Sequence, residues 1–397
     1  TEYGWQAKYF FTLGSSQWTQ IKDSLTTAIK THPFLTRYYI CTPLDRADAK
    51  RPKTKSAMQK WNDLVVYGEA LGKKEKRNIE LIYWGNHELV SRLSSPANAG
   101  LVYYWFNQDN LTKEWFAGHI NSSIRDLGAR YTPKINVELE ISRYFDDLRQ
   151  NNRCYEVQEK HLDDFLTAIN KALRYYLEAK DTVPVHIFRN YIDELKNIYY
   201  QQPVSAQIDV AKINELLMKI HDWLEKNIKM LATMEKSSKE NLITDKQRVE
   251  SSLHGLLNIE RALSIFEKFI DSSHVKCFNR PAMLLYGDAG SGKSHLLADI
   301  AMQCCTEEIP CVLLLGQQFS ANDSPWQQII TSLLRLVCSN ENEFLGALNA
   351  IGMAYNQRIL FLIDALNEGA GKNYWPKFLA GFIDGFKKYP YIALVIS

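Results

Sequence analysis

The sequence holds seven cysteines, and no two of them have C-x-x-C spacing. Cys41, Cys154, Cys277, Cys304, Cys305, Cys311 and Cys338 therefore offer neither a zinc site nor a disulfide frame. They read as reduced core residues of a cytoplasmic protein. No apolar run reaches the roughly 18 residues of a membrane span. No signal peptide opens the chain, so no membrane partner is expected. There is little net charge, +2 over the whole chain, which argues against a nucleic-acid-binding polycation. No internal repeat is present. An initiator methionine is also missing. Thr1 and Ser397 both fall inside strand-like runs, so the chain reads as a fragment truncated at both ends.

What is present is the profile of a soluble globular protein: 46% hydrophobic, 12% aromatic and 23% charged residues. At about 150 residues per domain, 397 residues suggest two or three domains. Charge is uneven along the chain. Residues 1–150 carry a net +5 and the remainder a net −3. A mildly basic first domain is compatible with nucleic acid without requiring it.

Three zones differ in pattern. Residues 1–135 mix strands over 5–11, 37–42 and 79–84 with helical stretches over 17–30, 56–72 and 87–93, an α/β alternation. Residues 136–275 are helical. Leu162, Phe165, Leu166, Ile169 and Leu173 recur at helical spacing, as do Ile213, Leu216, Leu217, Ile220 and Leu224, and Val249, Leu253, Leu256, Leu257, Leu263 and Phe266. The polar stretch 235–245 reads as a loop or hinge. In 276–397, strands over 282–286, 310–315, 359–363 and 391–396 are nearly continuous apolar runs separated by helices. Strands buried on both faces of a parallel sheet look like that.

Gly287-Asp288-Ala289-Gly290-Ser291-Gly292-Lys293-Ser294 fits G-x-x-x-x-G-K-[ST], between an apolar strand and a helix. Glycines let successive N–H groups turn toward phosphate oxygens, and the helix N-terminus adds its positive end. Lys293 would supply a point charge to the β- and γ-phosphates, and Ser294 a ligand to Mg²⁺. The strand 359–363 delivers Asp364 at its C-terminal end, where ligands of α/β sheets bind and where a carboxylate would reach Mg²⁺ through water. Glu368, four residues on, is placed to orient an attacking water. No Asn-Lys-x-Asp guanine reader occurs, so ATP is the expected nucleotide.

The run LIDALNEG over 362–369, together with GDAGSGKS, resembles the NACHT and STAND signalling ATPases. Asn367 stands where that group often has Asp. The final strand IALVIS resembles the group's sensor strand. At the other end, Gln6-x-Lys8 on a strand, then a helix and a strand, resembles the second half of the motif in restriction-endonuclease-like (PD-(D/E)xK, Mrr-like) nucleases. Period-2 geometry puts Gln6 and Lys8 on one strand face. There Gln6 would offer a carbonyl oxygen near a metal, and Lys8 would orient water and stabilise charge on phosphate. The motif's acid would precede Thr1.

Taken together, the zones resemble bacterial antiviral STAND ATPases of the Avs type. That resemblance implies a nuclease domain over 1–135, a helical connector over 136–275 entered at 130–133, and a P-loop ATPase domain over 276–397. It also implies a phage protein as trigger, ATP-driven homo-oligomerisation, and cleavage of double-stranded DNA. Two alternatives stay open: an AAA+-like remodelling ATPase with an accessory domain, and a nucleotide-gated scaffold whose first domain binds DNA without cutting. His87, Glu88 and His119 lie apart from any metal spacing and read as core or surface residues. The aromatic run Tyr103, Tyr104, Trp105 and Phe106 reads as core.

Overall fold

The computed structural model describes residues 2–48, 55–106, 111–132, 140–177, 185–200, 207–237, 243–320, 323–338 and 340–397. The chain divides into two compact units, Thr1–Val102 and Tyr103–Ser397.

The first unit alternates β1 (Glu2–Ala7), α1 (Ser15–Thr31), β2 (Leu35–Cys41), α2 (Ala57–Lys74), β3 (Glu80–Trp84) and α3 (Asn86–Leu93). Its strands form a parallel sheet in the order β1-β2-β3. Side chains alternate across a strand, so Tyr38, Ile40 and Tyr83 share one face. There they meet Trp18, Ile21, Leu25 and Ile29 of α1 and Trp61 and Leu64 of α2. A capping box starts α2: Ser56 Oγ accepts the Gln59 N–H at 3.1 Å, and Gln59 Oε1 accepts the Ser56 N–H at 3.0 Å. On the other face Trp5 stacks on Tyr39, with ring centroids 3.9 Å apart. The strand expected over 5–11 instead ends at Ala7. Its partner β2 ends at Cys41, whose carbonyl takes the Lys8 N–H at 3.0 Å, and beyond that the ladder has no partner. Tyr9 and Phe11 are exposed accordingly.

The division falls within α4 (Ala99–Phe106), and in the second unit α5 (Lys113–Leu127) and α6 (Arg143–Arg149) come next. A helical layer follows: α7 (Asn152–Leu177), α8 (Val185–Tyr200), α9 (Val210–Ser237), α10 (Ile243–Ile270) and α11 (Ser273–Asn279). The apolar stripes read from the sequence supply its buried faces, except that Leu257 of the third stripe is exposed. Leu162 and Phe165 of α7, Leu216 and Ile220 of α9, and Leu256 and Phe266 of α10 share one core. Of the loop expected over 235–245, positions 238–242 lie outside the described residues and the flanks are helical. Of the crossing at 130–133, Pro133 lies outside them, and so does the expected boundary at 135/136.

The rest of the unit is β4 (Ala282–Leu284), α12 (Lys293–Thr306), β5 (Cys311–Leu315), a helical turn α13 (Pro325–Gln327) running into a π-turn, α14 (Glu341–Tyr355), β6 (Ile359–Asp364), α15 (Gly371–Phe386) and β7 (Ile392–Ile396). The sheet is parallel with order β4-β7-β6-β5. Val312, Phe361 and Leu394 face α14 and α15, while Leu313, Leu362 and Val395 face α12. β5, β6 and β7 are buried throughout, as their composition indicates. β4 departs from the expectation for 282–286. Three residues form its ladder with β7, the Leu285 N–H adds a bond to the Ile396 carbonyl at 2.8 Å, and Leu284 and Tyr286 are exposed.

α5 lies along β5. Its Phe116 enters the core on one face of the sheet, and its Ile120 and Leu127 enter the core on the other. The second unit thus begins before the boundary expected at 135. α5 buries its apolar surface against the P-loop sheet, and the first unit ends at Val102. Of the aromatic run, Tyr103 is core and Trp105 and Phe106 are exposed.

Candidate functional site

The loop over 287–294 joins β4 to α12. Gly290 and Gly292 take φ of +79° and +84°, a region that suits glycine, and Gly292 forms the left-handed cap of α12. Lys293 folds back onto this loop. Its Nζ donates to the carbonyls of Gly287 and Asp288, each at 2.9 Å, and to Ser291 Oγ at 3.2 Å. A cavity of about 910 Å³ opens over the loop. Its walls include Lys293, Ser294, Asp364, Glu368, Arg130 and Ser397.

Asp364 ends β6 and is 1% exposed. Its Oδ1 accepts the Ser397 hydroxyl at 2.8 Å, and the same hydroxyl oxygen accepts the Ala365 N–H at 2.8 Å. Its Oδ2 is buried with no hydrogen-bond partner among the described residues. A buried carboxylate oxygen without a donor is a poor arrangement unless a cation meets it. Asp364 and Ser294 line one cavity, so the donor set is the hard-oxygen kind that suits Mg²⁺.

After Asp364 the chain turns sharply. Ala365 takes φ of +52°, and the Glu368 N–H closes the turn on the Ala365 carbonyl at 2.9 Å. Gly316, just past β5, leaves no room for a Cβ against that same carbonyl, so glycine lets the turn pack here. Glu368 reaches the cavity but meets a cation there. Arg130 Nη1 donates to both its carboxylate oxygens, at 3.0 and 2.8 Å, and Nη2 donates to Gln317 Oε1 at 2.9 Å. Beside Arg130, His295 of α12 lies within 3.1 Å of the Thr132 carbonyl, and its ring packs on Tyr131.

The structure thus brings the loop, Asp364 and Glu368 to one cavity. Two residues of this cavity escaped the sequence reading. Ser397 fixes Asp364 from just past β7, and Arg130 holds Glu368 from the turn that follows α5. Neither belongs to a local motif. Only the partnership with a residue distant in sequence gives each its role.

Gln6 and Lys8 lie in the first unit. Gln6 is 7% exposed; its Oε1 accepts the Tyr38 hydroxyl at 3.1 Å, and its Nε2 has no hydrogen-bond partner among the described residues. Its amide is therefore turned under the sheet, toward α1 and α2, rather than to an open metal site. Lys8 follows the last paired residue of β1. No group of three or more His, Cys, Asp or Glu residues suited to a metal occurs among the described residues. All seven cysteines are free. No helix among the described residues is long and apolar enough to cross a membrane.

Compared with known protein families, residues 281–378 match the NACHT domain. The match runs from the residue before β4 through the P-loop, β5 and β6 and into α15. The chain therefore carries a NACHT domain, an NTPase of the STAND group, and its presence indicates NTPase activity. No curated protein matches the chain.

Proposed function

We propose that this chain is an ATP-binding signalling ATPase of antiviral defence whose ATP-driven oligomerisation activates an N-terminal endonuclease acting on double-stranded DNA. The observation that carries the nucleotide part is the shared cavity. It joins a left-handed glycine loop on a helix N-terminus, the unpartnered Oδ2 of Asp364, and Glu368. Loop amides and the α12 N-terminus receive the phosphates. Lys293, now on its own loop's carbonyls, turns to the β- and γ-phosphates. Ser294 and Asp364 would hold Mg²⁺, which when bound offsets phosphate charge. Glu368 orients the attacking water.

Support for the defence reading, with a phage protein as trigger, is the order of the zones: an α/β unit, helices, then the NACHT domain. The burial of Gln6 favours a second reading for the first unit alone, a module that binds DNA without cutting it. The nucleotide assignment is tested with Lys293→Ala in titration calorimetry. Loss of ATP binding is expected, since the loop's one lysine is removed. Unchanged ATP affinity would overturn the site.

A further inference from the structure

Glu368, placed to orient water, has both carboxylate oxygens engaged by one guanidinium nitrogen of Arg130. A carboxylate held in this way has both oxygens turned to the guanidinium rather than to a water. Arg130 is itself held from a second direction by Gln317, which follows β5. The backbone sets its position too. Gly128 ends α5 with φ of +54°, and the turn of residues 128–130 swings Arg130 over the cavity. Both partners of the ion pair are about one-third to two-fifths exposed, at 34% and 41%. A pair so open to water adds little stability and separates easily. It is therefore better suited to a restraint that opens than to a structural lock.

α5 is the element that would open it. It is held along β5 at three levels: Lys113 pairs with Glu308 at 2.7 Å, His119 and Ser123 bond the backbone of Leu313, and Asp126 accepts from Gln318 at 3.0 Å. Arg130 is the last member of this series, so a displacement of α5 from β5 draws it away from Glu368.

We propose that Arg130 is a positioning residue that restrains Glu368 in the resting chain, so that release of α5 from the edge of the sheet raises nucleotide turnover. The proposal rests on the reading of Glu368 as the residue that orients water. The test is steady-state ATP hydrolysis by the whole protein without activator, with ADP affinity measured in parallel.

Arg130→Gln is expected to raise kcat by about tenfold, a fraction of what a general base contributes, with KM and ADP affinity unchanged. Arg130→Lys, which can still pair with Glu368, should return kcat toward the wild-type value. Gln317→Ala removes the second anchor and should raise kcat in the same direction by less. It also keeps the test alive if Arg130→Gln fails to fold. A merely structural Arg130 would not give this split between kcat and KM, nor rescue by lysine. If Glu368→Gln turns over as fast as wild type, the underlying reading fails whatever Arg130 does. If Glu368→Gln is inactive while folded Arg130→Gln and Gln317→Ala turn over at or below the wild-type rate, the restraint is overturned and the role of Glu368 stands.

Discussion

The imidazole Nε2 of His119 accepts the backbone N–H of Leu313 at 3.3 Å, and one turn further along α5 Ser123 Oγ donates to the carbonyl of the same residue at 2.8 Å. Leu313 sits in the middle of β5, whose one strand neighbour among the described residues is β6. An edge strand exposes a row of unpaired backbone groups that invite another strand. Here a helix answers both groups of one residue with two side chains spaced to share a helix face. The helix that closes the sheet edge is also the one that positions Arg130, so edge protection and the nucleotide cavity share a part.

The first prediction concerns pH. Burial pushes the His119 pKa down from 6.5 to about 4. A histidine with a depressed folded pKa binds its proton less readily when folded than when unfolded. Stability from this group is therefore complete above the unfolded value and is lost as pH falls from about 6.5 toward about 4. The loss approaches at most about 3 kcal/mol. His119→Gln keeps a carbonyl acceptor for Leu313 but cannot titrate. Thermal melting across that window should show a shallower decline for the variant than for wild type. Parallel declines would remove His119 from the explanation.

Much of the second unit was legible because its signals are contiguous. Eight residues specify the phosphate loop, and β6 announces itself by an apolar run ending in Asp364. What stayed hidden depends on partners far along the chain. Ser123 meets Leu313, Arg130 meets Glu368 and Ser397 meets Asp364, and no periodicity carries such pairs. The exposure of β4 was hidden for a related reason, since an apolar run does not say which elements come to cover it; β5, also at a sheet edge, is buried throughout under α5. For Gln6, alternation groups it with its even-numbered neighbours but does not say which way that face turns. Tyr38 and the helices beneath the sheet decide that.

A second prediction follows from Ser397. Its hydroxyl serves two partners, the buried Asp364 Oδ1 and the half-buried Ala365 N–H. Ser397→Ala leaves both without that partner, at about 1–3 kcal/mol for the buried carboxylate oxygen and less for the N–H. Asp364 is then free to rotate. The melting temperature is expected to drop, and Mg²⁺-dependent ATP affinity to weaken about tenfold, the equivalent of about 1.4 kcal/mol. Calorimetry with and without Mg²⁺ separates the two effects. An unchanged Mg²⁺ dependence would show that Ser397 does not position the carboxylate for the cation.

The loop offers a third. Gly292 has φ of +84°, and a Cβ placed there meets nothing within 4 Å. Space is therefore not what requires glycine; backbone conformation is. Gly292→Ala should destabilise the loop by about 1–2 kcal/mol and weaken ATP binding by about five- to thirtyfold, with the melting of α7–α10 little changed. Equal affinity in variant and wild type would mean that the loop adopts another conformation on binding.

The last prediction separates the two residues of the first unit. Gln6 Oε1 is held by the Tyr38 hydroxyl in the core, whereas Lys8 stands just past the paired part of β1, at the C-terminal end of a parallel strand. Ligand sites of parallel sheets gather at that end. A lysine there can meet a phosphate that a core-facing glutamine cannot. Lys8→Ala is therefore expected to lower plasmid cleavage by roughly a hundredfold or more, the scale of a lost charge-stabilising group. ATP binding should be untouched, because the nucleotide cavity belongs to the other unit. Gln6→Leu should leave cleavage within about threefold of wild type and shift stability by about 1 kcal/mol, since it removes one unpartnered amide and one acceptor for Tyr38. The assay is nicking of supercoiled plasmid by the full-length protein with ATP, Mg²⁺ and its activator. Cleavage by the Lys8 variant at the wild-type rate would remove Lys8 from the chemistry, and no cleavage by the wild-type protein would sink the nuclease reading in favour of a DNA-binding module. Loss of cleavage in Gln6→Leu with the fold intact would mean that the Gln6 amide turns out of the core when DNA is engaged.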